Sequence, residues 1–305
     1  FKSRVSYSLI FLLSFFPLLN LIKKKSPDFL IMHLITSLPL CLLFFFKFNT
    51  NFILRISGLP KMNFIRKKFW TLLSGKIYKV TTPTKQLLNH YMSANIFDKE
   101  KIFFLPDAMI NIKKFINSQI NYKSKNLNLI EKKYFIAVGR LSKQKNFSYL
   151  INEFSNFIKE KKNYNLLIFG KGEEKEKLLK LIKKKNSSDN IFLMGFSENV
   201  QFYMKKSTGF ILSSLWEEPG AVLIESALSN TYIISSDCPY GPSEIISNGK
   251  YGFLYESNKK NALKNQLNEF CKNFENLKNK KIGAKKNCLK YTMFRHYVAL
   301  NKLLV

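Results

Sequence analysis

The chain is short of acid. Its 305 residues hold 20 Asp+Glu against 50 Lys+Arg, a formal charge of +30. It is also sparing with glycine (12), proline (9) and cysteine (4). So few Gly and Pro exclude a collagen-like or linker-like chain, and 46% hydrophobic residues exclude global disorder. The cysteines, Cys41, Cys238, Cys271 and Cys288, form no CxxC pair. That speaks against a disulfide framework or a zinc ribbon and for reduced thiols. No GxGxxG follows a first strand, so the fingerprint of a dinucleotide oxidoreductase is missing. No Asp-x-Asp pair is present either, which removes the usual carboxylate clamp for a nucleotide-bound divalent metal.

Long uninterrupted apolar runs are also scarce. Leu9 to Ile22 is shorter than the roughly 20 residues a membrane span needs. Phe29 to Phe46 lacks formal charge but is divided by His33, Thr36, Ser37 and Pro39. It reads as a buried strand followed by a helix with Pro39 near its start. No small-residue cleavage site marks a signal peptide.

What is abundant is positive charge. Residues 1–130 carry 20 Lys+Arg and 4 Asp+Glu. Such a surface attracts anionic lipid head groups, phosphorylated substrates or nucleic acid, although a codon bias toward A and T produces the same richness in Lys, Asn, Ile and Phe. No RNP or finger pattern supports a nucleic-acid binder, and none is expected as a partner.

Short β-rich runs alternate with helical periodicity. Strands are expected at Phe29–Met32, 51–56, 77–81 and 102–105, and again at Tyr134–Val138, 166–169, 191–194, 209–213, 232–236 and 252–255. Helices are expected after a capping Asn146, over 173–185, over 220–228 and, as one polar helix, over 258–279. The Lys/Asn-rich segment 111–128 reads as a linker. Alternation of this kind implies an α/β fold with parallel sheets covered on both faces. In such sheets the ligand crevice lies at the carboxyl ends of the strands, where Gly139, Gly170, Gly195 and the Glu217 loop all fall.

Two constellations carry chemistry. In Ser213-Ser-Leu-Trp-Glu-Glu-Pro-Gly-Ala-Val-Leu-Ile-Glu225, one carboxylate precedes a helix and another lies within it. A helix start offers free N–H groups to a diphosphate, and the carboxylates can hold hydroxyl groups on either side of it. In Gly139-Arg-Leu-Ser-Lys-Gln-Lys-Asn146, Arg140 and Lys145 follow a strand and can neutralise a leaving diphosphate.

These motifs, with Phe169-Gly-Lys-Gly172, Ser235-Ser-Asp-Cys-Pro-Tyr-Gly-Pro-Ser-Glu244 and Gly249-Lys-Tyr-Gly252, resemble the family-4 retaining glycosyltransferases. The resemblance is dense over residues 131–257 and thinner over 26–110, where Pro27-Asp28, His33 and Pro83-Thr84 carry it. It departs at Glu218-Pro219, where the family usually has Gly after the first Glu. The resemblance implies a GT-B architecture: two facing Rossmann-like domains, the first (1–125, acceptor side) incomplete, the second (126–287) nucleotide-sugar-binding, and a helix at 288–305 crossing back to the first. It implies an N-terminal truncation, since nothing before Pro27 looks like the family's opening strand and Gly-rich loop.

The resemblance also implies roles. Arg140 and Lys145 would contact the diphosphate, Glu217 the donor sugar, and His33 would face the reacting sugar. Gly220, Ala221 and Val222 would offer backbone near sugar and phosphate, and Glu225 would bind the ribose. Gly139, and the loops at Gly170-Lys171-Gly172 and Gly195-Phe196, would border the nucleotide. The implied activity is that of a retaining transferase of the hexosyl type. It would use a UDP-sugar or GDP-sugar without a metal or other cofactor. It would act on a lipid-linked or oligosaccharide acceptor in cell-surface polysaccharide or lipopolysaccharide synthesis. The basic residues and apolar helices of residues 1–70 suggest its place: the cytoplasm, peripheral on an anionic membrane face. A non-catalytic sugar-nucleotide-binding relative and a membrane-surface binding protein are the alternatives.

Overall fold

The structure is a computed structural model that describes residues 2–58, 62–120, 131–273 and 277–305. It divides into two compact units, Phe1–Pro106 with Ala299–Val305, and Asp107–Val298.

The first unit holds helices α1 (Lys2–Lys25), α2 (Ser37–Phe45), α3 (Phe64–Leu73) and α4 (Lys85–Ser93), and strands β1 (Phe29–Met32), β2 (Asn51–Arg55), β3 (Lys79–Thr82) and β4 (Ile102–Phe104). The strands form one parallel sheet in the order β1-β2-β3-β4. The apolar run from Phe29 to Phe46 is a strand and a helix, and α2 buries Leu38, Leu40, Leu42 and Leu43. Helix starts are capped by side chains. Asn63 accepts from the Arg66 N–H at 2.9 Å, and Thr84 of the Pro83-Thr84 pair accepts from the Leu87 N–H at 3.2 Å. Among the described residues no helix is long and apolar enough to cross a membrane.

The second unit is built on six parallel strands: β5 (Tyr134–Val138), β6 (Asn165–Phe169), β7 (Ile191–Gly195), β8 (Gly209–Leu212), β9 (Ile233–Ser236) and β10 (Phe253–Tyr255). Their order is β10-β9-β8-β5-β6-β7. Side chains leave alternate faces of a strand, so β5 sends Tyr134 and Ile136 into one core and Phe135 and Ala137 into the other. Helices α6 (Phe147–Glu160), α7 (Lys175–Lys184) and α11 (Ala262–Lys272) cover the Phe135 face. Helices α5 (Ile112–Ile120), α8 (Val200–Lys206), α9 (Ala221–Leu228), α10 (Pro242–Ile245) and α12 (Lys278–Cys288) cover the Ile136 face. A last helix, α13, spans Met293–Leu304.

Four expectations need correction. The described part of the supposed linker is helix α5. Asn111 accepts from the Lys114 N–H at 3.1 Å, and Phe115 is buried in the second unit's core; residues 121–130 lie outside the description. The unit therefore begins at Asp107 rather than after residue 125, with Ile110 bridged to Thr292. The single polar helix over 258–279 is instead α11 and α12. Their apolar stripes, Leu263, Leu267 and Phe270 against Ala284 and Cys288, pack on opposite faces of the sheet, so one straight helix cannot bury both. Asn146 does not cap α6 with its side chain. It takes a left-handed conformation (φ 51°), and its amide donates to Asn258 Oδ1 at 3.2 Å. The terminal helix expected at 288–305 opens only at Met293: Cys288 still ends α12, whose Asn287 donates to the carbonyls of Glu244 and Ile245.

Candidate active site

The strand order of the second unit fixes where its loops meet. The chain runs outward from β5 through β6 to β7, then returns to the other side of β5 and runs outward again from β8. Between β5 and β8 the connections diverge, and at such a switch point the strand ends leave a crevice. The loop after β5 carries Gly139, Arg140 and Lys145; the loop after β8 carries Ser213 to Gly220.

The two loops are pinned to each other. The Leu215 N–H donates to Gln144 O at 2.8 Å, and Gln144 Nε2 donates to Trp216 O at 2.9 Å. Ser213 Oγ donates to Lys145 O at 2.7 Å. Lys145 Nζ lies 2.5 Å from Glu217 Oε1, with side chains 14% and 5% exposed. Ser214 Oγ donates to the same carboxylate oxygen at 2.5 Å. Glu217 is thus the inward member of the Glu217-Glu218 pair, and Glu218 is exposed. The stem of Lys145 packs over Gly139, where an added Cβ would meet it at 3.0 Å.

Glycine is required at one strand end and one helix start. Gly170 has φ 146°, and a Cβ there would meet Gly139 O at 1.8 Å, so only glycine lets the β5 and β6 loops touch. Gly220 has φ 98° and immediately precedes α9. The first N–H groups of that helix, at Ala221 and Val222, have no place in its own ladder. Ala221 is exposed and Val222 half-buried.

Beside this pair a cavity of about 480 Å³ is lined by Gly139, Arg140, Gly170, Lys171, Phe196, Ser197, Glu198, Gln201 and Glu225. Phe196 is exposed, and Lys171 Nζ lies 5.9 Å above its ring. Gly195 and Gly172 shape the surrounding loops: Gly195 O accepts from the Gly170 N–H at 2.8 Å, and Gly172 abuts Leu141 O. Burial pushes the Glu225 carboxyl above its ordinary value, and a hydrogen bond from Gln201 Nε2, 3.3 Å away, partly offsets this. Arg140 is exposed and pairs with Glu173 at 3.4 Å rather than with the Glu217 cluster. Buried Cys238 has its thiol pushed up to about 12 by desolvation, so it is no nucleophile.

A family model for glycosyl transferases, group 1, matches residues 118–287, more than half of the chain. The chain belongs to that family.

Other likenesses agree with that membership. An uncharacterised glycosyltransferase of Methanocaldococcus jannaschii is 29% identical over 83% of this chain and 70% of its own length. An N-acetylgalactosamine-N,N'-diacetylbacillosaminyl-diphospho-undecaprenol 4-alpha-N-acetylgalactosaminyltransferase of Campylobacter jejuni is 26% identical over 70% of this chain. The chain spans only 59% of that second relative. The crystal structure of Anabaena HepE with UDP and glucose superposes with a TM-score of 0.73 at 13% identity, over 91% of this chain and 77% of that one. The protein is an α/β chain of two parallel sheets with the GT-B glycosyltransferase fold.

Within this group 1 glycosyl transferase, the structure brings Lys145 and Glu217 into contact and gathers Gly139, Arg140, Gly170, Lys171, Phe196 and Glu225 around one cavity. His33 belongs to the first unit, at the carboxyl end of β1. It is exposed, and its Nε2 lies 2.6 Å from Ser57 Oγ. Sequence reasoning passed over Ser214, Ser197, Glu198 and Gln201. The signal for the last three was a polar turn after Gly195 followed by Val200, Tyr203 and Met204 at helical spacing, the inward face of α8.

Proposed function

We propose that the protein moves a sugar, with retention of configuration, from a UDP-sugar or GDP-sugar to a lipid-linked or oligosaccharide acceptor. The process served would be cell-surface polysaccharide or lipopolysaccharide synthesis. The observation that carries this reading is the buried Lys145–Glu217 pair at the switch point, beside a cavity lined by Arg140, Lys171 and Glu225.

In this reading the donor's nucleoside enters that cavity, with Phe196 offering a stacking surface and Glu225 accepting from ribose hydroxyls. The diphosphate lies against Lys145, Arg140 and the start of α9. Glu217 holds a hydroxyl of the donor sugar. Charge grows on the leaving phosphate as the glycosidic bond breaks, and fixed cations and helix N–H groups stabilise it more in the transition state than in the ground state. The acceptor hydroxyl attacks from the face the leaving group vacates, and a leaving phosphate oxygen takes its proton. Lys145→Ala lowers turnover by about 100- to 1000-fold, the range for loss of one such donor.

The reading requires no metal ion. Titration of UDP, GDP, ADP and CMP, with magnesium and with chelator, tests both points, using Glu225→Ala as control. Saturable binding of one diphosphate, insensitive to chelator and lost in the control, is expected. Absence of binding to the folded chain would leave the fold without the activity and favour a non-catalytic relative.

The cytoplasmic face of an anionic membrane is the place we assign to it. In the first unit, α1 exposes Leu12, Leu13 and Phe16, α2 exposes Phe44 and Phe45, and α3 exposes Phe64, Ile65 and Leu72. Lys23 to Lys25 end α1, and Arg66, Lys67 and Lys68 lie on α3. Apolar side chains beside clustered cations suit an anionic lipid surface. Co-sedimentation with phosphatidylcholine vesicles, with and without phosphatidylglycerol, tests this. Binding indifferent to the anionic lipid would overturn it.

A further inference from the structure

Gln201 stands on α8 and reaches across to Glu225 on α9, and both side chains line the same cavity. Its Nε2 lies 3.3 Å from Glu225 Oε2. Chemistry fixes which end of the amide faces the carboxylate: an ionised carboxylate only accepts, so the NH₂ must point to it. That leaves Gln201 Oε1 turned away. The oxygen is buried and accepts no hydrogen bond among the described residues. A buried acceptor left unsatisfied is costly. The side chain is therefore held by its bond to Glu225 and not by a balanced network of its own.

We propose that Gln201 is a positioning residue of the nucleotide site: it fixes the orientation and keeps the charge of the Glu225 carboxylate, so that both hydroxyls of a nucleoside's ribose meet an ionised, correctly turned acceptor. The proposal rests on the nucleotide-sugar reading above. Gln201 need not touch the ligand. Its effect passes through Glu225, whose burial disfavours the charged form and whose bond to Gln201 favours it.

Other charges share the surroundings. Arg140 and Lys171 enter the cavity from the loops after β5 and β6, and Glu198 from the turn before α8. Of the helices packed on α9, α10 brings Glu244, which is paired with Lys290 at 3.3 Å, and α12 brings buried Cys288. The hydrogen bond to the Glu225 side chain comes from Gln201.

The test uses the full chain and measures the affinity of UDP and of 2′-deoxy-UDP across pH for wild type, Gln201→Leu, Gln201→Lys and Glu225→Gln. Gln201→Leu keeps the bulk and removes the donor. It weakens UDP by about 5- to 20-fold, lowers the preference for UDP over the deoxy form, and moves the acidic limb of binding to higher pH. Gln201→Lys restores a donor with a charge and moves that limb to lower pH, a reversal that a packing role would not produce. It also keeps the question answerable if the leucine variant is poorly folded. Gln201 variants with the wild-type affinity, sugar preference and pH limb, alongside loss of binding in Glu225→Gln, would overturn this inference alone. Wild type that binds no nucleotide, or Glu225→Gln that binds as wild type does, would overturn the nucleotide reading and this inference with it.

Discussion

The Lys145 ammonium is asked to serve two anions. In the structure it is held by Glu217, and in the proposed reaction it must also hold a diphosphate. Glu217→Gln separates these demands. The glutamine keeps the shape and leaves an oxygen where Lys145 Nζ and Ser214 Oγ now donate. What is lost is the charge of the acceptor. The Ser214 bond then passes from a charged acceptor to a neutral one, about 1.5–3 against about 0.5–1.5 kcal/mol net, while the Lys145 bond keeps its charged donor and loses the counter-charge. The pair is largely shielded from solvent, so little of that difference is screened away. Removing one charge of a buried pair costs up to about 3–5 kcal/mol, and the retained amide oxygen offsets part of this, so the variant loses at least about 1 kcal/mol of stability, readable as a lower urea midpoint with an unchanged slope. The same attraction, no longer spent on Glu217, becomes available to phosphate. UDP binds the variant about fivefold more tightly, since 1.4 kcal/mol is tenfold, while turnover falls because the sugar loses its acceptor. Calorimetry and denaturation on one preparation check both halves. Unchanged or weaker UDP affinity in a folded variant would show that the carboxylate does not compete for Lys145.

Three further outcomes are expected. Glu153 lies buried on α6 and accepts from the N–H groups of Asn261 and Lys264 at 3.1 and 3.3 Å, capping α11 from a neighbouring element; Glu153→Ala costs about 1–3 kcal/mol in urea denaturation, and an unchanged midpoint would remove that cap from the account. Gly170→Ala destabilises by at least about 2 kcal/mol, because its Cβ would meet Gly139 O at 1.8 Å, whereas Gly249→Ala (φ 89°, nothing within 4 Å) costs less; the reverse order would refute the close approach of the β5 and β6 loops. Burial raises the Glu225 carboxyl, so between its unfolded and folded values the folded chain keeps a proton that the unfolded chain releases, and stability falls as pH rises through that window. Glu225→Gln removes this loss, and its Tm advantage over wild type grows as pH rises above the ordinary carboxyl value of about 4; a constant difference would contradict the raised value.

Much of this arrangement is written locally. Tyr134–Val138 is a strand because four β-formers around one alanine end at a glycine, and the structure keeps those bounds. The Glu217-x7-Glu225 spacing places one carboxylate in the loop and the other in α9 as expected. What local pattern could not show was set by tertiary packing. The break between α11 and α12 exists because two apolar stripes serve opposite faces of one sheet. Helix α5 exists because Phe115 has a core to enter, although its own residues read as a polar connection. Gln201 escaped notice because α8 is only seven residues long and its partner lies 24 positions away. Asn146 looked like a cap by type, yet its left-handed backbone turns its amide toward Asn258.

The switch-point order of the second sheet has a consequence for how the site comes into being. Lys145 and Glu217 are 72 residues apart and sit on loops from the two halves that grow outward from the β5–β8 seam. Neither half alone contains both the cations and the carboxylates. A chain in which only β5 to β7 have assembled has no diphosphate site to offer, and contacts of such long sequence separation form late. Nucleotide present during refolding therefore has nothing to bind until the seam closes. It leaves the folding rate unchanged and slows unfolding instead, locking a chain that has already found its shape.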